Sequence, residues 1–218
     1  MLRQLLEMPY WKVVLFATIA IGTVGILANY PDYLPPNFHA VFLLGRQGYF
    51  FGIYQWAFYA HLIAGPVTLV LGTLLMSETL RSRWPKGHRT MGQVQVAAVL
   101  LLLCPSGLVM SYWAMSGVIA AVGLATLAML TAVSILLGWR AAVAGRMDAH
   151  RRWMLRTFAL LASSIVLRLI AGTTEWLQLQ GNYPLSVWVS WIAPLVVVEL
   201  YLRSRRRAPQ VARTSLAK

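Results

Sequence analysis

Charged residues along this chain gather in clusters, and the lengths of the uncharged stretches between them set the elements. A helix needs about 20 mostly apolar residues to cross about 30 Å of hydrocarbon. Between Lys12 and Asp32 lie 19 residues without Asp, Glu, Lys or Arg, and between Arg46 and Glu78 lie 31. Each stretch predicts one span, over about 13–30 and 52–76. The uncharged run Thr90–Trp139 is 50 residues long, too long for one helix. Its small, polar and aromatic segment Ser111–Gly117 divides it into spans over 91–112 and 118–139. Residues 153–174 are apolar apart from Arg156 and Arg168, and 185–202 apart from Glu199; these predict spans five and six. The expected fold is all-α, a polytopic transmembrane helix bundle of about six spans in a single membrane domain over 1–218, with a basic tail at 203–218.

Composition agrees. Apolar residues make up 59% of the chain and charged ones 11%, with a mean hydropathy of +0.64, whereas a soluble domain carries about 25% charged residues. Net charge is +13, which on a soluble protein would point to polyanions. Here the distribution of the cations decides their meaning. Seventeen of the 19 Lys and Arg fall at the N-terminus, between spans two and three, around 140–156 and in the tail. All four places lie on one side of a six-span layout. Short cytoplasmic loops retain positive charge during insertion, so this side is expected to be the cytoplasm of a bacterial cell, with both termini facing it across the inner membrane. The tail segment 203–207 then meets the lipid bilayer's anionic headgroups, and a nucleic-acid partner is not expected. A cleavable leader is rejected, because no small-x-small site follows the first apolar run and the segment 30–36 suits a loop after a retained anchor. The Tyr, Phe and Trp residues around loop 30–50 suit an interfacial aromatic belt.

Ionisable groups at depth are costly in lipid and serve as site hypotheses by default. His61, Arg168 and Glu199 are such groups. With the fifth span inserting near residue 154 and rising ~1.5 Å per residue, Arg168 lies roughly 6 Å to the outer side of the midplane. His61 falls at a similar depth, so the two are candidates for one polar cavity. Glu175, seven residues beyond Arg168, is a candidate partner for it, and Glu199 is expected to pair with Arg156 or Arg140. Pro66, Pro105 and Pro194 lie within spans, where each frees the carbonyl four residues back, including those of Leu62 and Leu101. Cys104, the only cysteine, excludes an intrachain disulfide and reads as a packing residue.

The chain has four histidines. His39 lies in the outer loop and His61 in span two; His88 opens HRTMG and His150 opens HRRWMLR. In both of the last two a basic loop ends in His-Arg at the start of the second helix of a hairpin, a faint internal repeat. Three readings fit. His88 and His150 could be the axial ligands of a haem b, with Arg89, Arg151 or Arg152 holding its propionates, in quinone-linked electron transfer. The two helix starts and their arginines could instead hold an anionic, lipid-like ligand. Or both segments anchor helix ends at headgroups. Hydrolytic and Mg-dependent chemistry lacks material: there are six acidic residues, and no Ser/His/Asp grouping, His-Glu-x-x-His segment or phosphate-binding glycine loop.

His61 with its Gly-rich helix, Arg83, His88-Arg89-x-x-Gly92, Asp148-x-His150-Arg151-x-Trp153-Met154-x-Arg156 and Arg168 together resemble the bacterial membrane-protein family called domain of unknown function 2306, over about residues 55–172. The resemblance implies a polytopic membrane protein and no particular reaction. A weaker likeness is to di-histidine b-type cytochromes of the ascorbate-reducible type. His61/Gly65 and His88/Gly92 match their His-x-x-x-Gly elements, and His150 would complete a pair with His88. The fourth span has no histidine to partner His61, a departure that limits the likeness to one haem at most.

Overall fold

The computed structural model describes residues 10–178 and 182–215, and of these the side chains other than 10–13, 15, 175 and 206–215. Every regular element among the described residues is helical. Five helices among them are long and apolar enough to cross a membrane: Ile53–Leu75, Pro85–Tyr112, Gly117–Val143, Met147–Thr174 and Tyr183–Arg205. A further helix, α1 (Tyr10–Ala28), stands where the first span is expected. Packing groups the chain into two units, 1–113 and 114–218.

In the first unit α1 is followed by a single turn, α2 (Gln47–Phe50), and by the membrane-length α3 (Ile53–Leu75). Ser77 caps the short α4 (Glu78–Arg83) by accepting from the Leu80 N–H, as small hydroxyl residues do at helix starts. Pro85, whose missing N–H costs nothing at a first helical position, opens α5 (Pro85–Ala97). The run continues through a π-helical segment, Ala98–Leu103, into α6 (Cys104–Tyr112) and packs along α3. Pro105 explains the π segment. Its ring crowds the carbonyl four residues back and offers no N–H. The wider turn, in which the Cys104 N–H reaches back to Val99 O, lets the helix pass the proline unbroken. Pro66 lies within α3, and the carbonyl it releases, that of Leu62, accepts from the hydroxyl of Tyr30.

The segment expected as an interfacial belt folds on itself. Leu43, Phe50, Tyr54 and Phe58 form a fully buried cluster against Tyr33 and Phe38. Phe50 meets Phe38, Tyr54 and Phe58 edge-on at centroid distances of 5.3, 6.1 and 5.7 Å, a favoured aromatic geometry. Arg46, outside the four cation clusters, is accounted for here. It lies 4.5 Å over the Phe42 ring and donates to the Tyr49 hydroxyl at 3.0 Å and to Trp113 O at 3.3 Å.

The second unit holds α7 (Gly117–Val143), α8 (Met147–Trp176) and α9 (Tyr183–Ser215), packed on one another. Gly145, at φ 71°, ends α7 in a left-handed turn, and Arg146 N–H closes onto Ala141 O at 2.8 Å, the usual glycine stop. The buried face of α7 is mostly small: Ala120, Gly123, Ala128, Ser134, Gly138 and Ala141. Small residues let helix backbones approach closely where lipid supplies no hydrophobic drive. A Cβ at Gly123 would stand 2.9 Å from Val187 and 3.0 Å from Trp188 Nε1. The buried hydroxyls of Thr131, Thr157, Ser163 and Ser190 each donate to a carbonyl of their own helix, so they satisfy themselves without a cavity.

Helices α5 and α8 start at Pro85 and Met147, ahead of 91 and 153, and α9 runs on to Ser215. Charge limits where a helix can sit in lipid, not where a helix can form, and Lys and Arg are good helix formers. The His-Arg segments therefore belong to the helices rather than to the loops before them.

Candidate functional site

His88 and His150 each occupy the fourth position of a membrane-length helix, after Pro85 and after Met147. Each donates its backbone N–H at 3.0 Å to the residue just before the helix, Trp84 and Arg146 respectively. The repeat glimpsed in the sequence thus extends to helix position. At the first site Gly87 is buried beneath the Trp84 ring, which a Cβ there would overlap. Both histidines are half-buried, and Arg89 and Arg151 are exposed beside them.

The His150 ring is held in a defined way. Its Nδ1 lies 2.9 Å from the carbonyl of Gly138, on the preceding helix of the hairpin. A carbonyl only accepts, so Nδ1 carries the proton and Nε2 is the basic nitrogen. A Cβ at Gly138 would displace the flexible end of Met154, at Cε, and come 3.2 Å from Trp153 Cβ. Metal-ligating histidines are usually held in this manner, one ring N–H tied to a carbonyl and the other nitrogen turned to the metal.

His61 is fixed by another device. Ser106 donates its hydroxyl to Leu103 O at 3.0 Å, and its oxygen lies 3.2 Å from His61 Nδ1. With its proton committed, the serine oxygen accepts from Nδ1–H. Ser106 is buried and follows Pro105, so the proline and π segment help to set its position.

Arg168 is exposed on α8 and donates to Ser164 O at 3.0 Å, back along its own helix toward the N-terminal end. The Glu175 side chain lies outside the described residues. Arg156 pairs with Glu199 through two contacts, Nε to Oε1 at 2.5 Å and Nη2 to Oε2 at 3.1 Å, a bidentate geometry. Its guanidinium also lies 4.7 Å over the Trp153 ring.

Of the expected site residues, His88, Arg89 and His61 stand in the first unit, and His150, Arg151 and Arg168 in the second. Among the described residues no three of His, Cys, Asp and Glu gather as a metal site. A haem would need only two ligands from the protein, because its ring supplies the other four nitrogens. The sequence reading missed Gly138, Ser106 and Gln95. Gln95 is buried, 4% exposed, and donates from Nε2 to Thr68 O at 2.9 Å. Its place seven residues after His88, on one helix face, was the available signal.

The family model described as predicted membrane protein, domain of unknown function 2306, matches residues 58–202. The chain belongs to this family. The match runs through the last span, which the resemblance over 55–172 had left out. No curated protein and no solved structure matches the chain.

Proposed function

We propose that the chain crosses a bacterial inner membrane six times, with both termini in the cytoplasm. In this reading it is a small b-type-cytochrome-like protein that exchanges electrons with a quinone. Support for the orientation comes from the 17 cations on one side of the layout. The observation that carries the redox reading is the His150 imidazole, tethered through Nδ1 to Gly138 O so that Nε2 is the nitrogen left for a ligand bond. His88, at the matching position of its own helix, would be a haem ligand of the same kind, and Arg89 and Arg151 would each place a cation beside its histidine for a haem carboxylate. Bound there, a haem supplies a one-electron ferric–ferrous couple. The protein's own part is to fix the ring orientation of His150 and to place cations beside the carboxylates. Replacing His88 or His150 with Ala abolishes haem retention, while His39→Ala, in the outer loop, leaves it unchanged. Unchanged haem content in the first two variants would remove the ligand assignment.

A second reading is favoured by the exposed Arg89 and Arg151 at two helix starts. Each would hold an anionic, lipid-like ligand at its own helix start, and the protein would be a non-catalytic binding or accessory component. Under it, copurified anionic lipid is lost when both arginines are replaced by Gln, and visible absorption is absent from the start.

A further inference from the structure

Helix α7 has two sides. Ser134, Gly138 and Ala141 are buried, and Gly138 meets Trp153 and Met154 of α8. Met129, Val133, Leu136 and Arg140 stand at i, i+4, i+7 and i+11, so they share a different face, and all four are exposed. On that face an apolar stripe ends on a cation. From Met129 to Arg140 the helix rises roughly 16 Å, close to the ~15 Å that one leaflet contributes to a hydrocarbon core ~30 Å thick.

At the charged end lies a groove of about 220 Å³, lined by Trp139, Arg140, Val143 and Ala144. Its cause is local: Trp139 and Arg140 carry long side chains, whereas their neighbours one turn on, Val143 and Ala144, are short. The groove is smaller than the ~300–1,000 Å³ that encloses a whole small ligand, so it suits one end of a longer molecule. Charge says which end. Glu199, which the sequence allows to pair with Arg156 or Arg140, takes Arg156. Among the described residues the ion pairs are Arg81–Glu78 and Arg156–Glu199, and neither uses Arg140. The groove therefore presents an uncompensated guanidinium beside an exposed indole.

We propose that this face of α7 is a binding site for one anionic phospholipid of the leaflet at the Arg140 end. The phosphate enters the groove and accepts from the Arg140 guanidinium, whose planar fork matches two phosphate oxygens. The glycerol lies against the Trp139 indole, a side chain that favours headgroup depth, and one acyl chain runs along Leu136, Val133 and Met129. A zwitterionic headgroup brings its own cation to the site, whereas phosphatidylglycerol leaves its negative charge for Arg140. The inference goes beyond the proposed function: it uses residues of neither His-Arg helix start and holds with or without haem.

The full chain is reconstituted in phosphatidylcholine–phosphatidylglycerol vesicles of equal mole fractions, in which one lipid or the other carries brominated acyl chains that quench indole fluorescence. The chain has nine Trp, so the share of Trp139 is taken as the difference from Trp139→Phe in each background. Brominated phosphatidylglycerol is expected to quench Trp139 at least threefold more than brominated phosphatidylcholine. Arg140→Gln brings the ratio near one. So does Ala144→Leu, which fills the groove from an exposed position and tests the site if Arg140→Gln does not fold. Arg146→Gln, which removes an exposed cation outside the groove, keeps the preference. A wild-type ratio of one would overturn the proposal, as would a wild-type ratio in Arg140→Gln or in Ala144→Leu. Equal losses in Arg146→Gln and Arg140→Gln would assign the preference to net charge and overturn the site. A preference erased by inorganic phosphate, but not by chloride of the same ionic strength, would make the groove a site for the free anion and overturn the lipid assignment.

Discussion

The hydroxyl of Tyr30 donates to the carbonyl of Leu62, the acceptor that Pro66 strips of its helical partner four residues on. The bond that Pro66 denies the Leu62 carbonyl within the continuous α3 is thereby made from the segment that precedes the helix, which also ties that segment to the span. Tyr30→Phe is expected to destabilise the protein by about 1 kcal/mol, the usual net worth of one hydrogen bond between partly buried groups. The effect should shrink in a Pro66→Ala background, because residue 66 then donates its own N–H to Leu62. Unfolding in mixed detergent, measured over the four-member cycle, checks this: strict additivity would deny the coupling.

Arg156 and Glu199 form the bidentate pair that joins α8 to α9. Their side chains are 17% and 36% exposed, so the pair lies between the surface and buried regimes. Glu199→Gln is expected to cost about 1–3 kcal/mol. Arg156→Met should cost a similar amount, with part of it from the lost stacking on Trp153. Thermal unfolding of the single and double variants, in low and high salt, measures the coupling.

How far the sequence reaches is plain from these residues. Pro66 announces that Leu62 O is freed, but the donor lies 32 residues away in sequence, and no local pattern identifies it. Glu199 is expected from the sequence to pair with Arg156 or Arg140 because the predicted layout puts all three near one interface; choosing between them needs the packing of α8 on α9. Apolar runs located the helices well, while their ends ran into charged sequence, since a helix end is set by caps, prolines and glycines and not by lipid. The π segment left no signature beyond Pro105. The candidate histidines were legible as a repeat, yet their fixed protons were not, because Gly138 and Ser106 become partners only through tertiary approach.

Gly138 sits in a close fit against α8. In Gly138→Ala the added Cβ overlaps Met154 Cε and presses on Trp153, so a loss of about 1–3 kcal/mol is expected from overpacking. Gly138→Ala with Met154→Ala makes room and should recover part of that loss. Thermal melts of the three variants test it, and a Gly138→Ala protein as stable as wild type would show that the hairpin is looser than described.

The central proposal is that His88 and His150, at matched helix positions, serve as haem ligands. Its most direct test is the dithionite-reduced minus air-oxidised visible spectrum of the full chain, purified from cells supplied with 5-aminolevulinate. The account predicts a Soret band with a sharp α band, the signature of two imidazole ligands, that disappears in His88→Ala and in His150→Ala. A folded, monodisperse protein with no such absorption would contradict it.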